Sequence, residues 1–326
     1  MGEQFDLGDL MDITSAYWQS RALLTAVELD IFEALANGPL TPDDLAARLA
    51  CDERALGFLA NSLAGLGVLD KNGDRLSNSA FAQEHLVESR GGTMVGYLRH
   101  HELLWRHWTA LTDAVRTGEV ERTEFKGGEV RAFIMAMHTT SSHWGGRVAD
   151  HIDLAGVERI IDIGGGSGDY SYEILRRVPG ATAVIFDKEE VVPITMECAE
   201  MAGVADRVSA VAGDYWEDDL GEGFDLAIIS NILHSTDPGG CVTILSNAAQ
   251  CLKPGGRVVI HEFVLSADGT QPAYAALFSL NMLTAGNDGR SYTQPELEEY
   301  LAQAGFSDVR HVRTTGDTSI VIGTKS

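Results

Sequence analysis

Apolar residues recur at helical spacing over the first third of the chain. Over the second half they gather into short continuous runs, and this switch predicts the architecture. Residues 13–35, ITSAYWQSRALLTAVELDIFEAL, put Ala22, Leu23, Ala26, Leu29 and Phe32 at helical spacing, and Asn37-Gly38-Pro39 stops them. Thr41 caps a second helix, PDDLAARLA, with Pro42 first and two acids at its positive end. Asp52 caps a third, ERALGFLANSLAGLG. VLDKNGDRLS then reads as two short strands around Asn72-Gly73. Three helices and a hairpin predict a winged helix. A long helix is expected from Gly92 to Gly118, then a polar connector over 119–128, then a helix over 129–152. That last helix carries a stripe of Phe133, Met135, Met137, His138 and Trp144, suited to core packing or to lining a pocket.

From Ile160 onward strands alternate with helices, which predicts a parallel sheet wound on both faces. The runs are Ile160–Ile163, ATAVIFD, VSAVAGDYW, FDLAIISNILH and GRVVIHEFVL, with Pro254-Gly255-Gly256 turning into the last. The tail differs. FSDVRHVRT and TSIVIGTK are separated only by Thr315-Gly316-Asp317, too short for a parallel crossover. The expected fold is therefore α/β. It has a doubly wound, mostly parallel seven-stranded sheet ending in an antiparallel hairpin, preceded by a helical winged-helix domain.

The stretch IIDIGGGSGDY marks where ligand chemistry should sit. Gly164, Gly166 and Gly168 follow a buried strand and open a helix, so backbone can approach a ligand closely. Dinucleotide turns are spaced G-x-G-x-x-G, whereas here Asp169 occupies the place of the third glycine. Asp162 precedes the turn, and a carboxylate suits an ammonium or sulfonium better than a diphosphate. The other strand ends contribute Asp187, then Asp214 and Tyr215, then His234, then Glu262. Ligands of such sheets bind beyond the carboxyl ends of the strands.

Composition narrows the function. The formal charge of −24 argues against nucleic acid and anionic membranes as partners. The third helix offers only Arg54 toward DNA, and its Leu, Phe, Ala and Gly suit packing between subunits. No apolar run approaches a membrane span, and the acidic N-terminus lacks signal-peptide order. Cys51, Cys198, Cys241 and Cys251 are scattered, as in reduced cytoplasmic proteins. His100 and His107 share a helix face, but no acid or thiol completes a metal set.

Taken together, GPLTPDDLAARL, LAGLGVL, DIGGGSGDYSYEILRRVPGATAVIFD, GDYW, FDLAIISNILH, LKPGGRVVIHEFVL and GRSYTQPELEEYLAQAGF resemble the S-adenosylmethionine-dependent small-molecule O-methyltransferases. The resemblance covers nearly the whole chain. It implies a winged-helix dimerisation domain over 1–91, linker and acceptor-pocket helices over 92–152, and a class I methyltransferase domain over 153–326. It also implies a homodimer whose acceptor, a small aromatic or enolic hydroxyl, is held between the domains. Gly164, Gly166 and Gly168 would pass under the cofactor's amino acid part, Asp187 would bind ribose, and Asp214 and Tyr215 would flank adenine. Met137, Ser141, Asp162 and Ser230 join the cofactor set; Phe133, His138, Asn231 and Asn281 join the acceptor set. His234 matches the general base and Glu262 the acid that orients it. Two departures stand out. The loop after the base reads His234-Ser235-Thr236-Asp237 in place of His-Asp-Trp, and the second acid that brackets the histidine in plant-type members falls on Ser291. Three other readings remain open. A C- or N-methyltransferase, or a non-methylating relative, fits the same fold. A dinucleotide oxidoreductase is opposed by the glycine spacing, and a ligand-sensing transcription factor by the apolar third helix.

Overall fold

The computed structural model describes residues 5–91, 94–120, 127–286, 288–314 and 317–326. Two compact units emerge, one reaching Leu103 and one starting at Leu104. Residues 121–126 of the expected connector and Thr315-Gly316 of the expected C-terminal turn lie outside the described residues.

In the first unit the helices are α1 (Leu7–Ser15), α2 (Tyr17–Glu28), α3 (Ile31–Ala34), α4 (Pro42–Leu49) and α5 (Glu53–Gly65). The hairpin β1 (Leu69–Asn72) and β2 (Arg75–Asn78) is followed by α6 (Ala80–His85). The single helix expected over 13–35 is thus three. Thr14 and Ser15 turn their hydroxyls back onto the Met11 carbonyl where α1 ends. Asp30 adopts a left-handed φ of 54° between α2 and α3. Apolar spacing survives both breaks, because the short pieces still aim Ala26, Val27, Ile31 and Phe32 into one core with Leu45, Leu56, Leu63 and Leu76. Each of the larger side chains contributes roughly 1.5–3 kcal/mol on burial. Asp6, Thr41, Asp52 and Ser79 each cap a helix with a side-chain oxygen.

Then come α7 (Met94–Trp108), α8 (Leu111–Thr117) and α9 (Gly128–Ala149). The expected helix 92–118 is interrupted at Thr109-Ala110, where the Thr109 hydroxyl bonds to the Arg106 carbonyl. The remaining elements are β3 (Arg159–Ile163), α10 (Asp169–Arg177), β4 (Thr182–Asp187), α11 (Val192–Ala202) and β5 (Val208–Ala212). They continue through β6 (Phe224–Ser230), α12 (Pro238–Cys251), β7 (Leu252–Glu262), α13 (Ala273–Thr284), α14 (Gln294–Gln303), β8 (Phe306–Arg313) and β9 (Ser319–Lys325).

The seven-stranded sheet has the order β5-β4-β3-β6-β7-β9-β8. Its first five members run parallel, and β9 pairs antiparallel with both β7 and β8, as the short tail turn requires. The Lys253–Gly256 turn is absorbed into the start of β7 as an irregularity, since Phe224 faces Leu252 while Leu226 faces Arg257. One face of the sheet buries Ile160, Ile185, Leu226, Ile228 and Val259; the other buries Ile161, Ile163, Ala227, Ile229 and Ile260. This period-two alternation covers β3 and β6 on both sides and fixes their register. The order reverses between β3 and β6, so the switch point lies at the glycine turn.

Gly168 opens α10 with a φ of 82°, and a Cβ there would lie 2.5 Å from the buried Tyr172 ring. Left-handed backbone costs a non-glycine residue about 1–2 kcal/mol and overpacking about 1–3. Gly168→Ala is therefore expected to lower the unfolding temperature by roughly 4 °C or more, at about 2–4 °C per kcal/mol. Scanning calorimetry giving an unchanged midpoint would contradict this account of the turn.

Candidate active site

Three amides of the glycine turn are engaged within the chain. Gly164 N–H donates to the Phe186 carbonyl at 2.8 Å and Gly168 N–H to the Gly165 carbonyl at 2.8 Å. Gly166 N–H donates to Asp187 Oδ2 at 2.8 Å, while the Thr195 hydroxyl donates to the Gly166 carbonyl at 2.6 Å. Phosphate-binding turns instead aim free amides at the anion. A Cβ on Gly164 would fall 2.5 Å from the Ile232 side chain and 3.5 Å from the Tyr215 ring, so only glycine admits them this close.

Three acids surround the turn. Asp187 accepts from Gly166 and, at 2.7 Å, from Lys188 N–H; burial nevertheless pushes its carboxyl up from the usual range. Asp162 is 1% exposed. Its Oδ2 accepts from Ser171 at 2.8 Å, and Oδ1 has no partner among the described residues. Burial, reinforced by the charges of Asp187 and Asp169, pushes its carboxyl up to about 7. The third acid, Asp169, gathers Ser141 Oγ at 2.6 Å, Ser167 Oγ at 2.6 Å and His138 Nδ1 at 3.0 Å. The structure thus brings Ser141 and His138, expected on different ligands, to one carboxylate. Met137 lies one turn before Ser141 and accepts its hydroxyl through the backbone at 2.9 Å. Phe133 is half-buried against the sheet core.

At the other strand ends the roles divide. Asp214 is exposed; its Oδ1 accepts from Trp216 N–H at 2.9 Å and so holds its own turn together. Tyr215 is half-buried beside Trp216, and burial pushes its phenol up to about 12. Ser230 lies 3.0 Å from His261 Nδ1, whose Nε2 lies 3.0 Å from the Thr318 hydroxyl. Burial pushes His261 down to about 4, so this ring is neutral and structural. Asn231 takes a left-handed φ of 56°, donates its amide to the His261 carbonyl at 2.9 Å, and keeps a buried Oδ1 without partner among the described residues. A strained polar residue at a strand end is typical of a ligand site. Asn281, on α13, accepts from the Trp108 indole at 2.9 Å.

His234 stands in a single 3-10 turn, Leu233–Ser235, just beyond β6. Its Nδ1 lies 2.7 Å from Glu262 Oε2 and its backbone N–H 3.3 Å from Oε1, so both carboxylate oxygens hold the residue. The ring packs edge-on against Phe278 at 4.8 Å and is 12% exposed. With Nδ1–H donating to Glu262, Nε2 carries the lone pair. From above, Gly289 presses so closely on the His234 carbonyl that a Cβ would sit 2.1 Å from it. Ser291 is buried there, with its amide on Ser279 Oγ at 3.1 Å and its Oγ unpartnered among the described residues. Sequence reasoning did not single out Asp169 or His261 as site groups. The only signal for Asp169 was its unusual place inside the glycine motif.

Residues 108–307 match the O-methyltransferase domain family and residues 11–88 the O-methyltransferase dimerisation domain. The chain belongs to the O-methyltransferase family. It is 33% identical to the tetracenomycin polyketide synthesis 8-O-methyl transferase of Streptomyces glaucescens, over 98% of this chain and 96% of that protein. It is 33% identical to the 3-hydroxy-5-methyl-1-naphthoate 3-O-methyltransferase of Streptomyces sahachiroi, over 97% and 95%. The human N-acetylserotonin methyltransferase, solved in complex with SAM, superposes with a TM-score of 0.87 at 26% identity, covering all of both chains. The expected family and the expected sheet are thereby borne out.

The state of Asp162 gives a test of the ligand-free O-methyltransferase. Its folded carboxyl titrates near 7 against an ordinary 3.8, so the folded chain holds the extra proton between those values. Its contribution to stability therefore falls as pH rises through that window. Asp162→Asn, which removes this titration, should gain stability relative to the parent at pH 8 and lose that advantage at pH 5. Parallel thermal melts at the two values check this; a gap that stays constant with pH would refute it.

Proposed function

We propose that the chain transfers a methyl group from S-adenosylmethionine to a hydroxyl on a small aromatic acceptor, with His234 as general base. The observation that carries this reading is the His234–Glu262 pair at the carboxyl edge, beside the glycine turn. The residues fit the cofactor. A desolvated Asp162 with an unpartnered oxygen suits its ammonium or sulfonium, and the amides of Gly164, Gly166 and Gly168, already engaged, are not free for a diphosphate. Asp187 would take the ribose hydroxyls, Tyr215 the adenine, and Met137 and Ser141 the amino acid part. Asp214, whose Oδ1 also holds its own turn, would join Tyr215 beside the adenine. When bound, the cofactor supplies an electrophilic methyl on its sulfonium.

The chain's own task is then deprotonation and alignment. A free phenol titrates near ~10 and histidine near ~6.5, so full proton transfer beforehand would cost about 5 kcal/mol. His234 Nε2 therefore takes the proton as the acceptor oxygen attacks. Glu262 fixes the tautomer that leaves Nε2 basic and stabilises the imidazolium that forms. Two Streptomyces relatives bear the names of a polyketide and a hydroxynaphthoate O-methyltransferase, which supports an aromatic acceptor.

A homodimer follows from the first unit by the same reading. Leu7, Met11, Ile13, Tyr17 and Trp18 are more than half exposed on α1 and α2, an apolar surface that a second copy would cover. Light scattering should give about twice the 35.1 kDa chain mass at micromolar concentration. A monomer would sink this part.

The central test is incubation of the protein with labelled S-adenosylmethionine and a panel of phenols, enols and heteroaromatic amines, followed by mass spectrometry. His234→Ala should cut transfer roughly 10²–10⁴-fold, the usual cost of losing a general base. Cofactor affinity should stay within about threefold. Glu262→Gln should cost less, since an acceptor for Nδ1–H remains. If His234→Ala keeps most activity, the acceptor atom needs no deprotonation and the hydroxyl reading is wrong.

A further inference from the structure

We infer that Tyr292 is a positioning residue for His234: its phenol, together with the backbone of Gly289, locks the loop that follows the base. This rests on the general-base reading of His234. The chain's two departures from the family pattern are the His234-Ser235-Thr236-Asp237 loop and the segment around Ser291, and in the structure these touch each other.

His234 needs support from outside its own turn. A single 3-10 turn carries it, and the hydrogen bonds within such turns are poorly aligned. Ile232, ahead of the turn, supplies no side-chain cap. Glu262 holds the His234 amide and Nδ1. Neither contact reaches the peptide groups after the base. A misplacement of about 1 Å in a reacting group can cost roughly 10²-fold in rate, so those groups matter.

Residues 289–292 hold them. Gly289 lies flush against the loop: a Cβ there would be 2.1 Å from the His234 carbonyl oxygen and 2.4 Å from the Thr236 nitrogen. Tyr292 is buried and donates its hydroxyl to the Thr236 carbonyl. The segment is anchored in turn. Leu265 N–H donates to the Tyr292 carbonyl at 2.9 Å and Gln294 N–H to the Leu265 carbonyl at 3.1 Å, which ties it to the chain just beyond Glu262. Ser291 N–H reaches Ser279 on α13, the helix that also sets Phe278 against the imidazole. Arg290 pairs with Glu296 and lies 4.6 Å over the Tyr292 ring. Core packing against Tyr300 would be served by a phenyl ring alone. The hydroxyl adds what a phenyl cannot, a bond to a loop 56 residues away. Ser291 is neutral, so the segment supports the base through backbone and phenol, not through a second carboxylate.

Nuclear magnetic resonance of the ligand-free protein, labelled with nitrogen-15 in its histidine rings, tests this at fixed pH. His234→Gln assigns the Nδ1 proton shared with Glu262. Tyr292→Phe keeps the ring and removes only the hydroxyl. It should speed solvent exchange of that proton roughly tenfold or more, because the loop opens more often. Tyr172→Phe is the control. It removes the same kind of bond, from Tyr172 to the Thr195 carbonyl, on the opposite face of the sheet, and should leave the exchange rate within about twofold. Should Tyr292→Phe fail to fold, Gly289→Ala, whose methyl must displace the His234 carbonyl, should give the same acceleration. A folded variant with the parental exchange rate overturns the inference and leaves the general-base reading intact. Equal acceleration in Tyr172→Phe reports a general loss of stability and overturns it too. Methyl transfer that survives in His234→Ala overturns the base reading and this inference with it.

Discussion

Desolvated carboxylate is the constraint on which the second unit depends. Removing an acid from water is costly unless donors replace the lost hydration. The turn after β3 holds three acids and resolves each differently. Asp187 is satisfied by two backbone amides, and this ties the end of β4 to the turn. Asp169 is satisfied by two hydroxyls and an imidazole, and this ties α9 to α10. Asp162 is satisfied only halfway, by Ser171. The first two arrangements build the turn, and the third leaves it ready for a positive charge.

A second division of labour occurs along β7. His261 and Glu262 are neighbours and so point to opposite faces of the sheet. On one face His261 bridges Ser230 and Thr318, pinning β6 to the start of β9 through a neutral ring. On the other, Glu262 grips His234 by side chain and backbone together. One dipeptide therefore fixes both the strand end where Asn231 is strained and the imidazole beyond it. The imidazole is thereby preorganised in a single rotamer.

Much of this was legible in the sequence because strand ends are local features. Apolar runs locate β3 through β7, and the carboxyl-edge rule then gathers Asp187, Tyr215, His234 and Glu262 with no knowledge of distances. The short Thr315–Asp317 link was enough to demand an antiparallel ending. What escaped was of two kinds. Helix interruptions at Asp30 and Thr109 were hidden because apolar spacing persists across them. The His138–Asp169 contact joins residues 31 positions apart on two packed helices, and no periodicity encodes which side chains meet there. Asp214, which the Gly-Asp-Tyr turn marks as a ligand group, also accepts from the backbone amide two residues on, a contact that no periodicity announces.

The place of β9 has a consequence for biosynthesis. The last strand in sequence is not at the sheet's edge but between β7 and β8. Until residues 319–325 have left the ribosome, β7 presents an open row of amides and carbonyls, and Thr318 cannot brace His261. At roughly 5–20 residues per second, the first unit has many seconds to fold before that final segment appears. The carboxyl edge is thus closed only after β9 has emerged. A copy interrupted before β9 would carry a finished N-terminal unit beside an unfinished sheet.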